Sequence, residues 1–318
     1  MRRLLALLLA LGLGLIGTTA RAQGNVTRIV VPFGAGGVQD ILARAISPEL
    51  GAALGRSVIV ENRAGAGGTI GTASVAKAAP DGHTLILAAA SHTINGSLYA
   101  SLPYDPIGDF TGIAHIGTSG YVLMIGAALP ANTVAEFVSY ARANPGKLNY
   151  ATAGNGSATH LSMAYLAGLA GLDMVHVPYK ATGEAVNEVL AGRAHAVIAA
   201  NIGALPFAKD ARVRMLGVTS ARRSKFLPEL PTIAESGVPG YEFDTWFGLL
   251  GPAATPKAAV ESINAAMATL LRDPPILDRL AKQGVEPQAL SPDAFNALLR
   301  ADFARMAKVV KASGARID

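Results

Sequence analysis

The stretch Arg28–Arg44, RIVVPFGAGGVQDILAR, decides the fold. Ile29, Val30 and Val31 are β-branched apolar residues in succession, and within Val26–Pro32 they predict a parallel strand covered on both faces. Pro32 ends that strand, and Phe33–Gly37 (FGAGG) is a glycine-rich turn. Gln39–Leu50 then turns helical, with Ile41, Leu42, Ala45 and Ile46 on one face. A strand that feeds a helix through such a turn leaves the helix's first N–H groups pointing into the mouth of the turn. Those donors and the helix dipole attract anions. Asp40 stands in the first helical turn, either as a helix-end residue or as a ligand contact. The run is not a dinucleotide fingerprint, because Gln39 occupies the place of the third glycine. Nor does a Gly-Lys-Ser/Thr follow, as a phosphate-binding loop requires.

The same rhythm continues. Ser57–Glu61 reads as a strand, Asn62–Gly71 as a second glycine-rich loop, Thr72–Ala78 as a helix and Thr84–Ala88 as a third strand. Ala89–Asn95, with Ser91 and His92, reads as a polar loop. Strand and helix in alternation predict an α/β chain with a parallel sheet, whose ligands sit at the carboxyl ends of the strands. Thr111–Leu129 breaks the pattern: long, mostly apolar, interrupted by Gly117, Gly120 and Gly126, it reads as strand crossing between two domains.

The opening pattern then recurs. Leu148–Ala151 is a strand, Gly154-Asn155-Gly156 a turn, and Ser157–Leu169 a helix carrying Ser157, Thr159 and His160 in its first turn. A valine at Gly37 or Gly156 is expected to block backbone approach to a ligand. Met174–Val177 is a strand, Thr182–Leu190 a helix with Thr182 as its candidate N-cap, and Ala194–Ala200 and Val213–Thr219 are strands. Glu242–Leu250 carries the chain back. Amphipathic helices at Pro256–Leu271, Pro275–Lys282 and Pro292–Ala312 read as the outer layer of the first domain.

Residues 1–22 read as a cleaved signal peptide: Arg2 and Arg3 precede the apolar run Leu4–Ile16, and Ala20-Arg21-Ala22 supplies the cleavage pattern. Its removal leaves 296 of 318 residues, with 24 basic against 22 acidic side chains, a net +2. No Lys/Arg cluster points to nucleic acid. The chain has no cysteine, which excludes disulfides, thiol catalysis, cysteine zinc sites and a lipid anchor at the cleavage site. The histidines form no HxxxH or HExxH pair, so no metal is expected. These features describe a free periplasmic protein.

Several stretches taken together, PFGAGGVQDILAR, VENRAGAGGTIG, KAAPDGHTL, LPYDPIGDF, KLNYATAGNGSATHL, HVPYK, VTSARRS, LPTIAESGVPGYE and WFGLLGPAATP, resemble the Bug family in colinear order from about Val26 onward. These are the periplasmic solute-binding proteins of tripartite tricarboxylate transporters. The resemblance implies an α/β, two-lobed Venus-flytrap fold of the type II periplasmic-binding-protein kind with two strand crossings. Domain 1 would be residues 23–124 plus 247–318, and domain 2 residues 125–246. It further implies a monomeric receptor, without cofactor or catalysis, that binds a small organic carboxylate and serves membrane transporter subunits.

Carried over by motif, first-lobe ligand contacts fall at Phe33, Gly34, Ala35, Gly36, Gly37 and Asp40, and at Ala89, Ser91 and His92. Second-lobe contacts fall at Ala153, Gly154, Gly156, Ser157, Thr159 and His160, at Tyr179, Lys180 and Thr182, and at Ala199 and Asn201. Structural alternatives stand beside several of these. His160 could be a structural histidine, Tyr179 could only pack its ring, and Lys180 could be a solvated lysine. Where many relatives resemble Phe-Asp-Asn, this chain has Ile198, Ala199 and Ala200, so a cleft carboxylate is expected to be missing and a ligand without an amino group favoured. Two other functions stand beside this one. A periplasmic hydrolase lacks its GxSxG elbow here. A receptor signalling to a periplasmic sensor shares every feature read above.

Overall fold

The computed structural model describes residues 26–179 and 181–313; the signal-peptide stretch and Lys180 lie outside them. Strand β1 (Val26–Val31) is covered on both faces, as its continuous apolar run requires. Ile29 and Val31 join Leu42 and Ile46 of helix α1 (Val38–Leu54) in one core, while Val30 enters the core on the other face with Ile86. Gly55 ends α1 in the left-handed conformation (φ 64°), returning its N–H to Gly51 and Ala52. β2 (Ser57–Asn62) and β3 (Thr84–Ala89) flank β1 in parallel, with α2 (Thr69–Ala76) between them in sequence.

The expected polar loop after β3 is instead helix α3 (Ser91–Leu98). Its reason is tertiary. Thr93 donates to Asp302 at 2.6 Å, and a Cβ at Gly96 would lie 2.4 Å from the Phe303 ring, so the glycine lets α3 press against the last helix, α10 (Pro292–Ser313).

The long apolar stretch is one strand, β4 (Phe110–Gly126). Its second half opens the other lobe: α4 (Val134–Ala143), β5 (Asn149–Thr152), α5 (Ala158–Ala170), β6 (Val175–Pro178), α6 (Thr182–Leu190), β7 (Ala196–Ala200), the short α7 (Asn201–Ala204) and β8 (Val213–Val218). The chain returns on β9 (Asp244–Pro252) and finishes with α8 (Lys257–Leu270), α9 (Pro274–Ala281), β10 (Glu286–Pro287) and α10.

The strand order is β2-β1-β3-β9-β4-β7-β5-β6, with β8 and β10 also paired to β4. β4 changes partner along its length. Through Gly120 it runs antiparallel to β9, and from Tyr121 antiparallel to β7. β9 enters beside the same switch, Phe243 bonding to Thr219 of the second lobe and Asp244 pairing with Gly120. Two lobes are therefore joined by two adjacent strand crossings.

Helices α8 and α9 pack on α1 as an outer layer of the first lobe. α10 does not: it packs on α3 and also on α5 of the second lobe, so it spans both. Arg305 on α10 bonds Asp302 (2.7 Å) and Asp244 (3.0 Å), tying this helix to a crossing strand. Trp246 packs here as well, donating to Asp302 at 2.8 Å. No helix among the described residues is long and apolar enough to cross a membrane.

Candidate functional site

A glycine turn stands beside the cleft in each lobe, and in the first lobe Gly67 of the second glycine-rich loop lines it as well. In the first lobe the turn after β1 is held by Asp40, which is buried in the first turn of α1. Its carboxylate accepts from Gly36 N–H at 2.9 Å, Asn62 Nδ2 at 2.9 Å and Arg44 Nε at 3.0 Å. Asn62 also donates to Phe33 O. Burial alone would raise the Asp40 carboxyl, but the bonds from Arg44, Gly36 and Asn62, with the Arg44 charge, hold it below its ordinary value. Asp40 thus builds the turn.

The second-lobe turn after β5 is closed by neutral groups. Ala153 N–H donates to Thr159 Oγ1 (2.8 Å), Gly154 N–H to Thr152 Oγ1 (3.2 Å) and Gly156 N–H to His160 Nδ1 (3.1 Å). Ser157 is the N-cap of α5, accepting from His160 N–H at 3.2 Å while its hydroxyl donates to Gly154 O at 2.7 Å. Gly154 and Gly156 have φ of 109° and 72°, a region that favours glycine. Burial, reinforced by neighbouring His176, pushes His160 down to about 4.

Between the turns lies a cavity of about 460 Å³. Three helices open onto it at their N-terminal ends: α1 through Val38 and Gln39, α3 through Ala90 and Ser91, and α5 through Asn155–Ala158. Its walls are aromatic, from Phe33, Tyr99, Tyr121, Phe243 and Phe247. Among the described residues no charged side chain lines it. Such a space offers N–H and hydroxyl donors to an anion and apolar surface to its body. Among the described residues no three His, Asp or Glu side chains converge as metal ligands.

The structure brings five of the expected contacts to this cavity: Phe33, Ala89, Ser91, Gly156 and Ser157. Gly34, Ala35, Gly36 and Gly37 are exposed and Ala153 and Gly154 half-buried, and none of the six lines the cavity. Asp40, Thr159 and His160 stand behind the turns as their acceptors. The count of free amide donors is correspondingly smaller than the sequence suggests, since side chains already take those of Gly36, Ala153, Gly154 and Gly156.

Others lie elsewhere. His92 is buried in the first lobe, bonded to Pro106 O at 2.7 Å and edge-on to Phe110, and burial lowers it to about 4. Tyr179 donates to Glu188 at 3.2 Å. Thr182 is the first residue of α6, whose N-cap is Ala181.

Ala199 is fully buried in the core under α6, opposite Val122, whereas Ala200, opposite Tyr121, faces the cavity. Strand alternation makes that one-residue difference a change of face, so an acid at position 199 would not project into this space. Asn201 is buried and borders a separate crevice behind the crossing strands.

Sequence reasoning missed Ser119 and Tyr121 on either side of the first crossing and Phe243, Thr245 and Phe247 around the second. All five follow a two-residue period. Alternation along the segments already read as crossings was the signal that could have found them.

Against this geometry, a family model described as "Tripartite tricarboxylate transporter family receptor" matches residues 42–315. The chain belongs to the tripartite tricarboxylate transporter receptor family. The receptor is 37% identical over 282 residues to a UPF0065 protein in the tcbD-tcbE intergenic region of Pseudomonas sp. (strain P51), covering 88% of this chain and 84% of that one. Among solved structures it is similar to R. palustris Rpa4515 with adipate (36% identity, TM-score 0.78, 92% of this chain and 98% of that one). It is also similar to the periplasmic binding protein BugD (32% identity, TM-score 0.75, 92% and 98%). The Bug resemblance and the two-lobed periplasmic-binding-protein fold therefore hold, and the receptor is a periplasmic solute-binding protein by family.

Proposed function

We propose that this receptor captures a small organic carboxylate with an uncharged, largely apolar body in the cleft between its lobes. It delivers that ligand, as a monomer, to the membrane subunits of a tripartite tricarboxylate-type transporter. The observation that supports this most is the cavity itself: three helix N-terminal ends converge on a space walled by aromatic rings, with no charged side chain among the described lining residues. The lobes we assign to residues 23–124 plus 247–318 and to residues 125–246, and export to cleavage after residue 22. The ligand contacts we assign to the two glycine turns and the N-terminal end of α3.

Binding without turnover is supported by Ser157, whose hydroxyl donates to a backbone carbonyl and not to a base. The related Rpa4515, seen with adipate, supports the carboxylate class. Energetics require both lobes. About four charge-assisted bonds at roughly 1.5–3 kcal/mol each compete with about 4–15 kcal/mol of immobilisation. One lobe alone would bind poorly.

An ammonium placed in this cavity would find no carboxylate partner among the described lining residues, at a cost of several kcal/mol. Calorimetric titration of matched pairs tests the reading: succinate is expected to bind at least about tenfold tighter than aspartate, and glutarate than glutamate. Tighter binding of the amino acid in both pairs would overturn the uncharged-body assignment, and no binding of any carboxylate in a broad thermal-shift panel would overturn the carboxylate reading.

A further inference from the structure

The second-lobe turn is held from behind by two imidazoles. Because Gly156 donates its N–H to His160 Nδ1, that nitrogen carries a lone pair and the ring proton sits on Nε2. His160 lies face to face with His176 on β6, ring centroids 4.1 Å and planes 11° apart. Tyr150 of β5 also stacks on His176, at 5.1 Å. His176 Nε2 is 2.7 Å from Thr152 Oγ1, the atom that accepts the Gly154 N–H. Each histidine therefore ends on a glycine amide of the same turn, His160 directly and His176 through Thr152. Gly156 lines the cavity.

Among the described residues, several charges on the elements packed around this pair have partners. Glu188 of α6 is paired with Arg193, Arg305 and Asp302 of α10 with each other, and His195, ahead of β7, is held by Asn149. Among the described residues, the rings stacked with His160 are those of His176 and Tyr150. Protonating His160 at Nδ1 would set two N–H donors against each other at Gly156. It would also place a cation against the face of a second imidazole that is itself able to charge.

We propose that His160 and His176 are positioning residues of the binding turn: as a neutral stacked pair they hold the Gly156 and Gly154 amides in place, and acid breaks that hold and releases the ligand. The proposal rests on the receptor reading for its ligand half only. Burial lowers both histidines, so the pair stays neutral at neutral pH. Once the turn opens, the rings titrate near their ordinary value, so every proton taken up as pH falls from about 6.5 towards 4 favours the open turn.

Hydrogen exchange of residues 153–160 in the ligand-free protein, corrected for intrinsic rates, tests this. Wild type is expected to lose at least about tenfold protection between pH 7.5 and 4.5. His160→Asn places a non-titrating oxygen where Nδ1 sits and is expected to lose at least about threefold less. His160→Phe keeps the stack without the acceptor and is expected to be unprotected at both pH values.

A wild-type protein with pH-independent protection, a His160→Asn variant that follows the wild-type profile, or a His160→Phe variant as protected as wild type would each overturn the proposal. Titration with adipate at both pH values separates the two readings. Affinity that falls further in wild type than in His160→Asn supports ligand release, and an equal fall overturns it. Adipate that binds neither protein counts against adipate as a ligand, while the exchange data still decide the histidine role.

Discussion

The two glycine turns solve the same local problem with opposite chemistry. After β1, the protein places its own buried carboxylate, Asp40, at the N-terminal end of α1 and balances it with Arg44. After β5, the corresponding end of α5 has no acidic residue in its first turn, and Ser157, Thr159 and His160 satisfy the turn with neutral atoms. A helix end already facing a carboxylate has less field to offer an incoming anion than one capped by neutral groups. The first-lobe turn is therefore the more firmly tied, and the α5 end keeps more electrostatic potential towards an incoming anion.

Breaking the charged turn should cost the fold most. Asp40→Ala takes the shared acceptor from Gly36, Asn62 and Arg44; the carboxylate is buried but Gly36 and the Arg44 guanidinium reach solvent, so denaturant unfolding should show a loss of about 2 kcal/mol. Gly156→Val acts on the neutral turn, forcing a β-branched residue to φ 72° beside the cavity. Its expected effect is on binding, at least about 2 kcal/mol of calorimetric affinity, in a protein that still folds. Ser157→Ala removes the α5 cap and should lower stability by about 1 kcal/mol.

Gly37→Val sharpens the contrast. Gly37 has φ −74°, and an added Cβ would meet only Gly34 O, at 3.6 Å. Its unfolding free energy should therefore change by less than about 0.5 kcal/mol.

Acid should separate the turns as well. Lowered histidines favour the folded state above their ordinary 6.5, and that contribution is lost as pH falls towards 4. A lowered Asp40 contributes above its ordinary 3.8 and is lost only as pH falls through its still lower folded value. Exchange protection should thus fail in the second-lobe turn first on acidification. Simultaneous failure of both turns would show that the lobes open as one unit.

What the sequence by itself determined about this protein is local. The strand–turn–helix units at β1–α1 and β5–α5, the strand character of the crossings and the amphipathic C-terminal helices follow from periodicity, glycine and proline placement, and caps, all of which act over a few residues. Motifs in order along the chain carried the family.

Tertiary structure decided the rest, because contacts distant in sequence control it. α3 is a helix despite its polar composition because α10, about two hundred residues later, supplies Asp302 and packs Phe303 over Gly96. Strand register across the crossings set Ala200 rather than Ala199 towards the cleft and brought Tyr121 and Phe243 to its wall. His160 reads in sequence as a candidate contact; only the stacking of β6 beside α5 reveals the imidazole that it leans on, and the amide that it holds.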